Sequence, residues 1–360
     1  MPIASHFARV CIRLVVRMAA MLALMSLLAS QAFAQGQVIG LGAEPKPDYS
    51  RADQRAAAAT AAIEKSPVAL GKFLGEGLSD PREKLRAVYQ WMALRMNYDT
   101  AAYRTGVQIT QTAQQALDAR MSSCDGFSTL FADLAKHAGI EVQTVLGYVK
   151  DGFHQQGEAF KDTNHAWNAV RLDNQWYLID STWGAGFDDG KQFVRKFDPF
   201  YFLTPADHLH LSHLAKDPAQ RFGRSAKDTA EFAALPYAPV TLLSVAKPSA
   251  AEVEQAKTVG FVKTFAQASG NMQVDMGPLT ASLRAGNTYV WQISSQHYHE
   301  MAVLHKGQWT DFVASTVRPI ATAPRTSFNV NFSPGEGVVQ IAAKKTTDAN
   351  YTIVLEYFAK

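Results

Sequence analysis

The sequence has 360 residues, of which 47% are hydrophobic and 19% are charged, with a formal net charge of +3 at pH 7. This length and hydrophobic content are typical of a globular protein with a sizeable core and suit two domains better than one. Lys and Arg are scattered rather than clustered, which argues against binding to nucleic acid or to an anionic membrane surface.

The N-terminus has the three parts of a secretory signal peptide. Three arginines precede an apolar run over 18–28, and residues 32–34 (AFA) fit a small-residue cleavage site. The run is shorter than the ~20 residues that a membrane-spanning helix needs, which disfavours a membrane anchor. We therefore predict a signal peptide over 1–34, cleavage near Ala34, and a periplasmic or secreted mature chain without a transmembrane segment.

Cysteine is rare in this chain. Its 2 cysteines are Cys11, which lies inside the predicted signal peptide, and Cys124. After export, Cys124 would have no intrachain partner in a compartment where disulfides normally form. A thiol left unpaired there either serves chemistry or is buried as a small apolar residue, and composition does not separate these alternatives.

Two helices are predicted between the signal peptide and Cys124. Residues 35–74 form a lead-in with an Ala-rich stretch over 52–64, whose composition favours a helix. The segment 80–96 begins with Asp80, which can cap a helix, and Pro81, which suits the first helical position. Its apolar residues recur at helical spacing, so we expect one face to pack on a core.

A third helix is predicted to start at Cys124. Apolar residues over 127–138 form an amphipathic stripe, Ser122 or Ser123 can cap the start, and Gly139 is placed to end the helix. A cysteine in the first turn meets unsatisfied backbone N–H groups and the positive end of the helix dipole. Both favour the thiolate, which is the nucleophilic form.

Three strands are predicted next, over 142–149, 165–172 and 175–183. Residues 173–174 (DN) suit a two-residue hairpin turn between the last two strands. With that turn, Leu172 faces Gln175 and Trp167 faces Asp180. His165 lies two residues from Trp167 on the same face, so His165 and Asp180 become diagonal neighbours within reach of a hydrogen bond.

These positions suit nucleophilic catalysis. A reactive thiol needs a base within hydrogen-bond reach, and the base needs an orienting group. Each residue alone is often structural, because many cysteines are buried, many strand histidines are merely hydrogen-bonded, and an aspartate at a strand end is often a turn residue. Together, the helix start and the shared sheet face predict a catalytic triad of Cys124, His165 and Asp180.

The C-terminal part of the chain changes character. Residues 235–360 contain short alternating apolar runs separated by turns, which indicate an antiparallel β-sandwich of immunoglobulin-like size. We therefore divide the chain after 35–74 into a catalytic domain over 75–222, a linker over 223–234 and a β-sandwich domain over 235–360. The sandwich is predicted to take no part in the chemistry.

Three motifs resemble the transglutaminase-like superfamily and, within it, the kyphoscoliosis-peptidase branch. They are CDGF at 124–127, HAW at 165–167 and DSTW at 180–183. The resemblance covers about 80–222 and implies an α+β, papain-like fold with helices packed on an antiparallel sheet. It also implies Cys124 as nucleophile, His165 as base and Asp180 as orienting residue, and a β-sandwich often follows the core in this branch.

The resemblance implies acyl transfer from a peptide or protein amide through a thioester. Water as acceptor gives proteolysis or deamidation, and an amine gives protein crosslinking. The backbone N–H of Cys124 would supply one donor to the oxyanion; Trp91 is of the right type for the second, but its helical position favours the core. Ser122 and Ser123 replace the usual Gly-Val pair. The acidic calcium-binding segments of animal transglutaminases have no counterpart, so no cofactor is implied.

Other functions are less well supported. A catalytically silent binding module of the cell envelope would not need an intact Cys, His and Asp. Thiol redox chemistry would need a resolving cysteine, which the chain lacks. His208, His210 and His213 invite a zinc interpretation, but no acidic or sulfur ligand completes the set in the sequence, so no metal is predicted.

Overall fold

The computed structural model describes residues 47–105, 111–151, 154–223, 225–269, 271–317 and 325–360. The predicted signal peptide and the first part of the predicted lead-in lie outside the described residues. Within these ranges, no helix combines the length and the apolar character needed to cross a membrane.

Helices dominate the first part of the described chain. They are α1 Ser50–Ala57, α2 Pro67–Gly75, α3 Pro81–Arg95, α4 Thr100–Thr105, α5 Ala113–Ala119, α6 Cys124–His137, α7 Ser181–Ala185, α8 Ala206–Leu209, α9 Thr229–Ala234, α10 Val240–Leu243 and α11 Ala250–Val259. The predicted caps of α3 are present: Asp80 accepts a hydrogen bond from the Arg82 N–H, and Pro81 opens the helix.

Strands form a central sheet, two small pairs and two C-terminal sheets. They are β1 Asn97–Tyr98, β2 Met121–Ser122, β3 Gln143–Val149, β4 His165–Leu172, β5 Gln175–Ile179, β6 Gly186–Asp188, β7 Phe193–Arg195, β8 Thr204–Pro205, β9 His213–Ala215, β10 Lys263–Thr264, β11 Gln273–Met276, β12 Ser282–Leu283, β13 Tyr289–Ser295, β14 Glu300–His305, β15 Gln308–Asp311, β16 Val313–Val317, β17 Arg325–Phe332, β18 Gly337–Lys344 and β19 Thr352–Ala359.

The central sheet has the strand order β8-β5-β4-β3-β9 and is antiparallel. Its β4–β5 hairpin has the predicted register, with Leu172 opposite Gln175 and Asn168 opposite Ile179. Asp173 and Asn174 both have positive φ, 49° and 63°, as a tight two-residue turn of this hand requires. The predicted pairing is therefore confirmed.

The predicted strand over 175–183 was wrong at its C-terminal end. The strand stops at Ile179, and helix α7 begins two residues later. Asp180 turns the chain because its Oδ1 accepts hydrogen bonds from the backbone N–H groups of Thr182 and Trp183. This is helix N-capping, and it ends the strand before Asp180.

Helix α6 packs its apolar stripe against β4 and the neighbouring helices. Phe127, Leu130, Phe131 and Leu134 are all fully buried. A hydrogen bond from the Asn168 side chain to the carbonyl of Ser128 ties β4 to the first turns of α6 at 3.1 Å. The helix that carries the thiol and the strand that carries His165 are thus held together. The fold is α+β, with helices packed on an antiparallel sheet.

The C-terminal elements from β10 to β19 are strands arranged in two sheets. One has the order β10-β19-β18-β14-β15, with β12 beside β19, and the other has the order β11-β13-β17-β16. The indole N–H of Trp291 in β13 donates to the Tyr357 hydroxyl in β19 at 3.1 Å, which joins the two sheets through a buried contact. Helices α10 and α11 precede these strands.

Strand β9 lies between two hydrophobic clusters. Ala215 belongs to the cluster formed by the helices and the central sheet, whereas Leu211 and Leu214 belong to the cluster that fills the C-terminal sheets. Neighbouring strand residues point to opposite faces. The strand therefore presents His213 and Ala215 on one face and Leu214 on the other.

Candidate active site

Cys124 is the first residue of α6, as predicted, and is partly exposed. Ser123 occupies the N-cap position without a side-chain capping bond, and Ser122 lies in β2, which pairs with β1. A β-carbon on Gly126 would overlap the Ser122 hydroxyl. The glycine two residues after the cysteine therefore lets the incoming strand pack directly against the start of the helix.

His165 and Asp180 form a buried hydrogen-bonded pair. The Nε2 atom of His165 lies 2.7 Å from Oδ2 of Asp180, and both side chains are almost fully excluded from solvent. Cys124 lies near enough to His165 to raise the pKa of the imidazole. Because Asp180 occupies Nε2, the ring nitrogen left for the thiol is Nδ1. The structure thus brings the three sequence-predicted residues together.

The electrostatics of the pair favour the ionised forms. Burial lowers the pKa of His165, but the Asp180 carboxylate and the nearby Cys124 outweigh burial and raise this pKa to about 10. Burial also acts to raise the pKa of Asp180, but its histidine partners outweigh burial and hold this pKa below its usual range. At neutral pH the favoured state is therefore an imidazolium next to a carboxylate.

His213 is a third residue of the cluster, and sequence reasoning missed its role. Its Nε2 atom lies 3.3 Å from the same Oδ2 of Asp180, and its Nδ1 atom lies 2.9 Å from the Ser212 hydroxyl. Among the described residues, His165, Asp180 and His213 form a set whose possible ligand atoms lie within 4.8 Å of one another. Asp180 is therefore an acidic side chain next to His213, which the zinc interpretation of the sequence lacked. The hydrogen bonds among these groups account for their arrangement without an ion.

No local signal could have identified His213. It reaches the site because β9 pairs with β3, which places His213 opposite Val149 and Ala215 opposite Gly147. No spacing rule connects residue 213 with residue 180, and the pairing of β9 with β3 depends on the completed sheet. His208 and His210 do not belong to this cluster.

Tryptophan rings enclose His165 and His213. The Trp183 ring centroid lies 5.2 Å from that of His165 and 5.0 Å from that of His213, and Trp167 meets His213 edge-on at 5.0 Å. Such apolar walls exclude water, which strengthens the hydrogen bonds to Asp180. The HAW and DSTW motifs thus supply both the polar residues and their enclosure.

Trp91 belongs to the core, as its helical position suggested. Its side chain is fully buried, and its indole N–H donates to a Glu64 carboxylate oxygen at 2.8 Å. Its donor is therefore engaged away from the thiol. Tyr98 and Tyr103 lie close enough to Cys124 to interact electrostatically with it, and Tyr103 is exposed.

Part of this chain matches a known protein family. Residues 69–181 match the transglutaminase-like superfamily. Human kyphoscoliosis peptidase is 37% identical over 125 residues, which cover 34% of this chain and 19% of that protein. The mouse protein of the same name is 36% identical over 135 residues, which cover 37% of this chain and 20% of that protein. The chain therefore spans about a fifth of the length of these curated relatives.

A solved structure described as a TGase covers 50% of this chain and 44% of that chain at 20% identity, with a TM-score of 0.27. A likeness at this level supports no functional conclusion. The sequence match and the arrangement of the site carry the assignment instead. Residues 69–181 belong to the transglutaminase-like superfamily, with kyphoscoliosis peptidase among their relatives.

Proposed function

We propose that this protein is an exported cysteine acyl-transfer enzyme that acts on peptide or protein amides. The observation that carries the proposal is the buried His165–Asp180 pair, joined at 2.7 Å and near a cysteine at a helix start whose side chain helps to raise the pKa of His165. A thiol, a base and an orienting carboxylate in this order are what nucleophilic catalysis at a carbonyl requires.

The proposed reaction has two halves. His165 holds the proton of the Cys124 thiol, and the thiolate sulfur attacks the amide carbonyl carbon, forming a C–S bond and an oxyanion. The backbone N–H groups at the start of α6 face this region and stabilise the negative charge. The C–N bond then breaks, His165 gives its proton to the leaving nitrogen, and a thioester remains on Cys124.

In the second half, His165 takes a proton from the acceptor, whose oxygen or nitrogen attacks the thioester carbonyl and displaces the sulfur. Water yields a carboxylic acid, by proteolysis of a backbone amide or deamidation of a side-chain amide, and a primary amine yields a new amide. Asp180 stays ionised throughout and keeps the imidazole oriented, as in related triads. The finer choice among these products depends on the acceptor.

The proposed location follows from the N-terminal sequence. Residues 1–34 have the pattern of a signal peptide, so we propose cleavage near Ala34 and action in the periplasm or outside the cell. An unpaired cysteine is a liability in such a compartment. A catalytic role for Cys124 supplies a reason to keep it.

The first test is alkylation of Cys124 by iodoacetamide at near-neutral pH, followed by mass spectrometry. We expect fast labelling of the wild type and labelling slower by about tenfold or more in His165→Ala, because the imidazolium that stabilises the thiolate is lost. His137→Gln is the matched control, since His137 is a half-buried histidine on the same helix, paired with Asp133. Slow labelling that is equal in wild type and His165→Ala would favour a silent binding module.

The second test identifies the reaction. Purified protein is incubated with casein and a fluorescent primary amine, and three products are measured: new peptide N-termini, released ammonia and incorporated amine. Cys124→Ala is the control for each. Hydroxylamine added during turnover should convert the thioester to a hydroxamate. Absence of all three products and of hydroxamate, with a fast-labelling thiol, would limit the proposal to a narrower substrate than casein.

A further inference from the structure

His213 is a second histidine on the carboxylate of Asp180. Its side chain is only 1% exposed, and its Nε2 atom lies 3.3 Å from the Oδ2 atom that also bonds His165. A buried polar ring in this position is costly unless both of its nitrogens have partners. The second nitrogen, Nδ1, has the Ser212 hydroxyl at 2.9 Å, so both requirements are met.

The four hydrogen bonds to Asp180 divide evenly between its oxygens. Oδ1 accepts from the backbone N–H groups of Thr182 and Trp183, at 3.0 and 2.9 Å. Oδ2 has the two imidazoles of His165 and His213. A carboxylate has about four acceptor positions. All of them are used, which fixes the plane of the carboxylate and the direction in which Oδ2 faces His165.

The protonation of His213 is defined by its partners. Burial, together with the charge of nearby His165, lowers the pKa of His213 more than the Asp180 carboxylate raises it, which favours the neutral ring. Because an ionised carboxylate only accepts hydrogen bonds, a neutral His213 carries its proton on Nε2, where it donates to Asp180. Its Nδ1 is then an acceptor for the Ser212 hydroxyl, which also lies 3.3 Å from the Leu209 carbonyl oxygen. The titratable groups that face His213 are Asp180 and His165; its other ring neighbours are Trp167 and Trp183.

The placement of His213 is enforced by close packing of β9 on β3. A β-carbon on Gly147 would overlap the carbonyl oxygen of Leu214 and press on the Trp167 ring. Glycine at this position therefore lets β9 approach closely enough for His213 to reach Asp180. Leu214, on the opposite face of β9, is buried in the second hydrophobic cluster.

We infer that His213 is a positioning residue that donates its Nε2 proton to Asp180 and thereby holds the carboxylate in the orientation that aims His165 at Cys124. The inference rests on the proposed function, because the aim of His165 matters only if Cys124 reacts. Loss of one hydrogen bond to a charged group corresponds to a factor of roughly ten. We therefore expect an effect on the rate of Cys124 alkylation without loss of the fold.

The test compares three replacements of His213 by the rate of Cys124 alkylation from about pH 5 to about pH 9. In His213→Gln the amide nitrogen reaches the position of Nε2, so we expect a rate near that of the wild type. In His213→Asn the amide is too short, and in His213→Leu the donor is absent. For both we expect a limiting rate about tenfold lower and a displaced pH profile. His210→Gln, a buried histidine in the same segment, is the matched control.

A milder variant guards against misfolding. Ser212→Ala removes the hydroxyl at Nδ1 and leaves the ring held by its bond to Asp180 alone, so we expect a smaller decrease of about threefold. Thermal unfolding is measured for every variant. If His213→Leu does not fold, the alkylation rates of His213→Gln and His213→Asn are compared instead. If neither of these variants folds, the alkylation rate of Ser212→Ala tests the inference.

Two results would overturn the inference. Wild-type labelling rates in His213→Leu, His213→Asn and Ser212→Ala would show that the ring only fills space. Equal losses in His213→Gln and His213→Asn would show that the Nε2 donor is unimportant. Failure of the proposed function is distinct: the wild-type thiol would then label slowly and respond to neither His165→Ala nor the His213 variants.

Discussion

A β-carbon on Gly184 would overlap the hydroxyl of Tyr89. Gly184 lies in α7, the short helix that Asp180 caps, and Tyr89 lies in α3. The Tyr89 hydroxyl donates to the carbonyl oxygen of Asp198 at 2.6 Å, so it is not free to move aside. Helix α3 is therefore locked against the turn that follows the candidate catalytic carboxylate.

Gly184→Ala should lower the free energy of unfolding by about 1–3 kcal/mol, because overpacking forces Tyr89 or α7 to shift. The displacement should also slow alkylation of Cys124, since Trp183, which encloses both histidines, is the adjacent residue. Urea unfolding and thiol labelling measure the two effects. Gly335→Ala is the control, because a β-carbon there meets ordinary contacts at 3.8 Å. Equal stability of the two variants would contradict the packing argument.

Cys124→Ala and Cys124→Ser should abolish every amide-directed activity while changing the free energy of unfolding by less than about 1 kcal/mol. Cys124 is partly exposed and is not part of the buried core, so its removal leaves no large cavity. Activity assays and urea unfolding of the same preparations check the loss of activity and the unchanged stability. Activity that survives in the alanine variant would exclude Cys124 as the nucleophile.

Asp180→Asn should lower turnover by roughly 10²–10⁴ with little change in substrate affinity, because the amide can favour the wrong imidazole tautomer. Asparagine still caps α7 through its side-chain oxygen, whereas alanine does not. Asp180→Ala should therefore lose about 1 kcal/mol more stability than Asp180→Asn. Steady-state kinetics and unfolding curves separate the two roles of Asp180. Normal turnover in a folded Asp180→Asn protein would refute the orienting role.

The pH dependence of stability should reveal the His165–Asp180 pair in the Cys124→Ala background, where the thiol no longer titrates. The folded-state pKa of His165 is raised from 6.5 to about 10, so the folded protein binds the proton more tightly. Cys124 contributes to this increase, so in Cys124→Ala the pKa of His165 is still raised by Asp180 but less strongly. The resulting stabilisation is complete below pH 6.5 and is lost as the pH rises through the folded-state pKa. Melting temperatures should thus fall over this window, and the fall should be smaller in Cys124→Ala/His165→Gln. If the melting temperatures of the two variants fell equally with pH, that result would argue against a protonated His165.

Lys150 should make the free energy of unfolding depend on pH with a sign opposite to that of His165. The Lys150 side chain is fully buried, and its Nζ donates to the carbonyl oxygens of Phe232 and Leu235 at the end of α9, each at 3.0 Å. Burial lowers the pKa of Lys150 from 10.5 to about 7, so the unfolded chain binds more protons between these values. Stability should therefore rise with pH across this window relative to Lys150→Met. Lys216→Met, at an exposed position, is the control. If the free energy of unfolding changed with pH equally in wild type and Lys150→Met, the prediction of a lowered Lys150 pKa would be contradicted.

The sequence by itself determined the features that depend on local chemistry. The hairpin register follows from a two-residue turn whose residues tolerate positive φ, and the position of Cys124 follows from an amphipathic stripe that begins beside it. Side-chain alternation then placed His165 and Asp180 on one face. The strand prediction over 175–183 failed locally, because the capping bonds of Asp180 outweighed the apolar and β-branched composition of the residues after it.

Only the tertiary structure decided which distant residues complete the site. His213 meets Asp180 because β9 pairs with β3, and Trp91 is unavailable to the oxyanion because its N–H is bonded to Glu64. Strand pairing across a long loop gains its free energy from burial summed over many residues, such as the packing of Leu214 into the second cluster. That sum does not appear in the spacing of any single motif, whereas a turn or a cap is decided within a few residues.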